Sequence, residues 1–377
     1  PHRLRPTMPP TPGEHQHPDW TSGTEWLRGE GPDADVVLSS RVRLARNLAA
    51  FPFVNKASRA QRQEILDLVR AQIMGGAGGK PVEPRMAWID LHNAPAVDRT
   101  ILVERHLISQ QHARGKQSTG AGGQDEPRAV AVSLRDERTS IMINEEDHLR
   151  LQVIRCGLGL APVLAEVSAL DDALESGLDF AFSPRFGYLT ACPTNVGTGL
   201  RASVMLHLPG LKLLGEMDKV RRATRDMSLA VRGYYGEGSE AAGEFFQISN
   251  QTTLGKTETA VIEELEREII PQVVAYERAA RRVLLDKRRR LLEDKVFRAL
   301  GTLRHARLLT PEEAIMLLSD VRLGVLVGLI QDVTHQQVNQ LVLLTQPAHL
   351  QRALGREMDQ GERREARADF VRQALGA

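Results

Sequence analysis

Arginines recur in this chain where an anion could be held. In Ser39-Ser40-Arg41-Val42-Arg43-Leu44-Ala45-Arg46-Asn47 an extended backbone sends Arg41 and Arg43 to the same side, setting two planar donor forks next to each other. Four further segments carry groups of similar interest: Glu104-Arg105-His106-Leu107-Ile108-Ser109, Asn144-Glu145-Glu146-Asp147-His148-Leu149-Arg150, Cys192 to Arg201 (CPTNVGTGLR), and Arg232-Gly233-Tyr234-Tyr235-Gly236-Glu237-Gly238. Each alone has an ordinary structural explanation. Paired arginines on a strand usually form a surface ion-pair face. The acidic run suits a helix N-terminus, where carboxylates meet the positive end of the macrodipole. A solitary Cys192 is more often a small hydrophobe than a nucleophile, and His106 alone says little.

Familiar phosphate loops do not account for them. Gly75-Gly76-Ala77-Gly78-Gly79-Lys80 has one residue too few before Gly-Lys, and Pro81 replaces the required Ser or Thr. Gly255-Lys256-Thr257 ends correctly, but Asn250 stands where the first glycine belongs. The Gly-rich loop, HRD and DFG set of eukaryotic-type kinases is also missing. Phosphates, if bound, must be held by arginine side chains.

The elements that position these groups are legible in outline. The 377 residues are 42% hydrophobic and 26% charged, an ordinary globular composition. Lys plus Arg (49) nearly cancels Asp plus Glu (48), so no global basic field for nucleic acid exists and direct nucleic-acid binding is not expected. Two cysteines, Cys156 and Cys192, imply no disulfide framework and a reducing, cytoplasmic setting. The apolar stretch from Leu323 to Ile330 is too short to span a bilayer, so no membrane association is expected. Residues 1–34, rich in Pro, Gly and His, read as a flexible leader that only Trp20, Trp26 and Leu27 could anchor.

Residues 35–260 mix helices with alternating strands. Ser58 with Gln61 forms a capping box before an apolar face of Ile65, Leu66, Val69 and Ile73. Strand-like runs occupy Met86–Leu91, Ala129–Leu134, Ser140–Asn144, Gly187–Ala191, Ser203–Leu208 and Phe245–Ser249. Turns rather than crossover helices separate most of them, which predicts an α+β fold with an antiparallel sheet flanked by helices. Glycine-rich stretches from Gly75 and Ser118 predict exposed loops. The NEEDH segment predicts the end of a strand and the start of a helix that contains Cys156. Residues 261–377 read as an all-helical module in which Thr310-Pro311-Glu312-Glu313 is a strong helix start. The run Arg281–Arg290, interleaved with leucines, predicts a solvated amphipathic helix.

Taken together, SSRVR, NEEDHLR, CPTNVGTGLRA and RGYYGE followed by FFQISNQTTLGKTE resemble, in order, the catalytic domain of the phosphagen (guanidino) kinases, the creatine and arginine kinase family. The resemblance implies that Arg41, Arg43, Arg150, Arg201 and Arg232 clamp the phosphates of ATP, with His106 beside the nucleotide. It extends the expected nucleotide contacts to Ser39, Ser40, Val42, Ala202, Ser203, Val204, Met205, Gly233, Tyr234, Tyr235 and Gly236. Glu146 and Glu237 would hold the acceptor guanidinium, with Cys192 beside it. The physics agrees with that assignment. Transfer of a metaphosphate-like group requires charge neutralisation and alignment more than covalent help, and arginines give permanent charge in bidentate geometry. Mg²⁺ would be held by ATP oxygens and water, so no protein metal site is expected. Neutralising a guanidinium at pH 7 costs roughly 8–9 kcal/mol. Two carboxylates that fix the fork and accept a proton during transfer answer that need, Glu146 as general base and Glu237 as orienting partner. Cys192 as a thiolate, favoured by positive neighbours and Thr194, would assist positioning without a covalent intermediate.

Within that family two features resemble the bacterial protein-arginine kinases: only 38 residues precede Ser39, and more than a hundred residues of helix follow the motifs. That branch implies protein substrates bearing exposed arginine, a homodimer formed through the helical module, and heat-shock repressor and Clp-protease partners in stress response and protein quality control. It also implies an allosteric phosphoarginine site at an Arg-Asp-x-x-Arg-Ala motif. Here the stretch reads Arg363-Arg364-Glu365-Ala366-Arg367-Ala368, and Arg364 removes a carboxylate suited to a guanidinium. Two alternatives stand beside this: a kinase of free arginine or another small guanidino compound, and a non-catalytic adaptor.

Overall fold

The computed structural model describes residues 20, 24–75, 81–115, 126–226, 229–233 and 242–376. Ten strands are present among them: β1 (Val37–Arg46), β2 (Met86–Asp90), β3 (Ala129–Ser133), β4 (Thr139–Ile143), β5 (Leu149–Cys156), β6 (Phe182–Ser183), β7 (Gly187–Tyr188), β8 (Leu200–His207), β9 (Leu229–Gly233) and β10 (Phe245–Asn250). Eight of them form one sheet in the order β2-β3-β4-β5-β1-β8-β10-β9, and every pairing is antiparallel. The helices are α1 (Arg59–Met74), α2 (Ala96–Glu104), α3 (Gln110–Arg114), α4 (Leu160–Glu175), α5 (Pro209–Leu213), α6 (Met217–Asp226), α7 (Glu258–Glu263), α8 (Ile270–Lys287), α9 (Arg289–His305), α10 (Pro311–Leu326), α11 (His335–Leu344), α12 (Pro347–Leu354) and α13 (Gln360–Ala374). No helix among the described residues is long and apolar enough to cross a membrane.

The period of two along each strand decides what each face of the sheet meets. Val42, Leu44, Leu151, Val153, Ala202, Val204 and Ile248 point to one face, where α1 and α4 close a core with Ile65, Val69, Ile73, Val163 and Val167. Ser58 starts α1 through the expected capping box, and Gly75 ends it in the left-handed region (φ +74°). Arg46 leaves the same face, donates Nε and Nη2 to Asp171 of α4 at 3.0 and 2.6 Å, and lies 3.5 Å over the Tyr188 ring. Both partners are buried, so Asp171→Ala strands a guanidinium out of water. It should lower the unfolding free energy by about 3–5 kcal/mol, read from urea denaturation.

The second face is split. Leu38, Ile154, Met205 and Phe245 pack against Leu284, Leu292, Val296, Leu318 and Val321 of the C-terminal helices. At the same face's other end the strands present arginines. Trp26 and Leu27 belong to this second core, so the expected leader is packed down from Thr24 onward. Asp35 binds Arg278 at 2.5 Å, and Arg322 of α10 donates to His207 Nδ1 at 2.8 Å and to Ala34 O at 2.9 Å, tying β8 to the helices.

Two expectations are corrected. NEEDH opens no helix: Asn144 adopts φ +61°, its amide bonds His148 O, and the chain returns as β5, with Cys156 on a strand. The alternation Leu149, Leu151, Val153 against Arg150, Gln152 carries that strand. The Arg281–Arg290 run is not uniformly solvated, because Arg281 is buried on Glu277 at 2.8 Å and the helix breaks at Arg288. The glycine-rich stretches fall mostly outside the described residues.

Candidate active site

Register assembles the site. Arg43 of β1 lies between Gln152 of β5 and Arg201 of β8, and Arg41 lies opposite Ser203, to whose Oγ its Nε donates at 3.3 Å. Arg150 faces Ala45 and Met142, and Arg232 of β9 faces Gln247 of β10. Residues from four strands, β5, β1, β8 and β9, thus converge on a cavity of about 330 Å³ that Arg41, Arg43, Arg150, Arg201 and Arg232 all line. His106, Glu145, Glu146, Cys192, Thr194 and Asn195 also stand on its wall, as do Gln152 and Gln247.

The arginines are crowded and repel one another. Burial, then the charges of Arg201, Arg150 and Arg232, bring Arg41 down to about 10. Burial, then Arg41, Arg150 and Arg201, hold Arg43 well below its ordinary value. The Arg43 Nε is buried with no hydrogen-bond partner. Burial beside Arg41 and Arg43 pushes His106 down to about 3, so its ring is neutral. A cavity lined this way is built for several negative charges at once.

Arg150 is neutralised from within. Its Nη1 meets Glu145 at 2.8 Å and its Nη2 meets Glu146 at 2.7 Å. The Glu145 side chain is only 5% exposed and also accepts from Ser109 Oγ at 2.6 Å; burial opposes its ionisation, but Arg150 and the Ser109 bond hold its pKa low. Glu146 is more open, its side chain 41% exposed, and differs in charge behaviour. Burial raises its pKa, Arg150 opposes, and Asp147 and Glu145 raise it further, so the net shift is upward. The two adjacent carboxylates are driven apart, the pKa of Glu145 held down and that of Glu146 pushed up.

The loop bearing Glu146 is tied to the segment bearing Cys192. Asp147 is fully buried, and its Oδ1 accepts from Asn47 Nδ2 and from Ala191 N, each at 2.7 Å. Cys192 Sγ lies 3.0 Å from Thr194 Oγ1 in a short 3₁₀ turn. Thr253 Oγ1 donates to Thr194 O and Val196 O, pinning that turn. Gly197 (φ +115°) must be glycine here, since a Cβ would lie 2.6 Å from Thr253 O.

Other expected site residues lie elsewhere. Val42, Ala202 and Val204 point into the core on the opposite face, Met205 packs on the C-terminal helices, and Ser39 and Ser40 do not line the cavity. Ser40 Oγ instead donates to Gly157 O at 2.9 Å. Gly233 ends β9 opposite Phe246, while Tyr234, Tyr235, Gly236 and Glu237 lie outside the described residues. On α13, Arg363 donates to Met358 O and Arg367 is buried on Thr345 O and Leu309 O, with its Nη2 unpartnered; Arg364 is exposed and Ala368 sits in the helical core. Sequence reasoning did not single out Gln152, Glu145, Asp147, Asn195 or Gln247. The period-two pattern of LRLQVIRC would have flagged Gln152 as facing the same way as Arg150. Among the described residues no three His, Cys, Asp or Glu side chains converge to hold a metal.

The model for the catalytic C-terminal domain of ATP:guanido phosphotransferases matches residues 78–280, and that for the protein-arginine kinase McsB C-terminal domain matches 289–377. The chain is 45% identical over 353 residues to the protein-arginine kinase of Halothermothrix orenii, covering 93% of this chain and 96% of that one. It is 47% identical over 355 residues to the protein-arginine kinase of Symbiobacterium thermophilum, covering 94% and 97%. Among solved structures, the duplicated taurocyamine kinase of Schistosoma mansoni with bound transition-state-analogue components superposes with a TM-score of 0.57 at 26% identity, over 70% of this chain and 36% of that one. Lombricine kinase superposes with a TM-score of 0.53 at 25% identity, over 71% and 73%.

Proposed function

The chain belongs to the ATP:guanido phosphotransferases, in their protein-arginine kinase branch, and from that premise we propose that it transfers the γ-phosphoryl group of ATP to the guanidinium of arginine side chains in other proteins, forming phosphoarginine. The observation that carries the reading is the cavity itself: five arginines on one sheet face, with Glu146 and Cys192 brought to its wall by separate loops. In this reading Arg41, Arg43, Arg201 and Arg232 hold the phosphate oxygens, and His106 borders the nucleotide as a neutral ring. Arg150 spans the two halves. MgATP arrives as one substrate, its ion ligated by phosphate oxygens and water; the chain's own part is to neutralise charge and align the reactants.

On the acceptor side, Glu146 grips the incoming guanidinium and takes its proton as the N–P bond forms and the bond from the γ-phosphorus to the bridging oxygen breaks, releasing ADP. Cys192 gives a further contact that fixes the fork. Cys192→Ser should slow transfer about 10–100-fold through looser alignment, with no burst of covalent intermediate in either form, as rapid-quench kinetics would show. Glu237 is inferred to orient the acceptor from the motif alone.

The test is incubation with γ-labelled ATP and either an unfolded protein or free arginine, worked up without acid. Label in protein, lost on acid treatment, supports the reading; label only in free arginine favours the small-guanidine alternative. No label with either acceptor would point to a non-catalytic adaptor. From the resemblance we also infer a homodimeric, cytoplasmic protein acting in stress response and protein quality control with a heat-shock repressor and Clp-protease machinery. The Arg363–Ala368 stretch is the place to seek an allosteric phosphoarginine site.

A further inference from the structure

The chain leaving α2 runs Glu104, Arg105, His106, and of these only His106 reaches the cavity. The first two are buried and turned toward α12. That helix begins without a cap of its own, since the Gln346 side chain accepts nothing from its first amides. Glu104 serves instead from 244 residues away: its Oε1 accepts from Ala348 N at 2.9 Å, and its Oε2 from His349 N at 3.0 Å. Oε2 also accepts from His349 Nδ1 at 2.6 Å, and with the ring proton on Nδ1 the Nε2 is left to accept from Arg105 Nε at 3.0 Å. Arg105 is ion-paired with Glu137 and its carbonyl accepts from Trp26 Nε1 at 3.2 Å.

His106 follows with φ +58°, a conformation non-glycine residues seldom take. Trp26 packs edge-on against its ring with centroids 4.8 Å apart, and its carbonyl accepts from Gln152 Nε2 at 2.8 Å. A residue stays in such a conformation only where its surroundings over-determine it. Here the upstream anchor is α12.

We propose that His349 and Glu104 are positioning residues for the nucleotide half of the site: through Arg105 they lock His106 in its cavity-facing conformation, so that docking of α12 completes the ATP site. This rests on reading the cavity as nucleotide-binding. Neither residue touches substrate; both act through the backbone of Arg105 and His106.

The measurement is displacement of a trinitrophenyl-ATP probe by MgATP on the full chain, with steady-state kinetics alongside. His349→Ala and Glu104→Gln should each weaken MgATP binding about tenfold, raising KM for ATP while kcat and the acceptor KM stay within about threefold. His349→Gln, which keeps an acceptor for Arg105, should recover most of the loss. Arg352→Ala removes an exposed ion pair with Asp98 between the same helices and should change nothing. If His349→Ala fails to fold, Glu104→Gln and His349→Gln, which keep the buried volume filled, carry the comparison. Wild-type affinity in a folded Glu104→Gln variant, or an equal loss in Arg352→Ala, overturns the role of His349 and Glu104. A wild type that does not bind MgATP overturns the nucleotide reading itself.

Discussion

Replacing Glu146 with glutamine should cut phosphoryl transfer about 10²–10⁴-fold, the usual loss of a positioned general base. The same change should leave MgATP binding intact or tighten it. Glu146 occupies one fork of Arg150 at 2.7 Å, and an uncharged amide frees that arm for phosphate. A substitution that merely damaged the fold would weaken both activities together. The pH profile separates the cases again. Burial, with Asp147 and Glu145 adding to it against Arg150, raises the pKa of Glu146, and a base must be ionised to act. Transfer should therefore fall as pH drops through a value above the ordinary one for a glutamate, and that acid limb should be missing in Glu146→Gln. Initial rates between pH 5 and 9, with ATP affinity measured in parallel, decide it. An unchanged limb in the variant would assign the titration elsewhere.

Replacing Arg43 with methionine should move stability and binding in opposite directions. Burial and its like-charged neighbours bring Arg41 to about 10, and the same causes hold Arg43 well below its ordinary value. Keeping Arg41 alone protonated at neutral pH costs the ligand-free protein about 3 kcal/mol. Methionine at 43 removes one repelling charge and an orphaned buried Nε, so the ligand-free melting midpoint should rise by about 2–5 °C. MgATP affinity should drop about 10–100-fold, the worth of one or two charge-assisted bonds. The rise in midpoint that saturating MgATP gives the wild type should shrink accordingly. A lower ligand-free midpoint in the variant would show that Arg43 is structural.

The charged motifs were readable because their residues are uncommon together and because strand alternation fixes where Arg41 and Arg43 point. The NEEDH hairpin was not. Asn144, Glu145, Glu146 and Asp147 have the composition of a helix start, and what overrides it is the left-handed Asn144 and the burial of Asp147 on Asn47 and Ala191, contacts remote in sequence. The docking of the C-terminal helices was equally hidden. Leu38, Ile154, Met205 and Phe245 form one stripe only after four strands are aligned, and along the chain they are scattered apolar residues. The anchoring of Trp26 and Leu27 depends on the same assembly.

The split second face has a mechanical meaning. β1, β5 and β8 have helices packed on one side and, on the other, helices at one end and guanidinium groups at the other. Their amides should be among the slowest in the molecule to exchange with solvent, since freeing them requires opening both layers. Four of the five forks, those of Arg41, Arg43, Arg150 and Arg201, therefore ride on the stiffest part of the chain, and their spacing is settled before any nucleotide arrives. A triphosphate meeting this lattice has little to rearrange, so adaptation to acceptors of different shape must come from the loops at the rim.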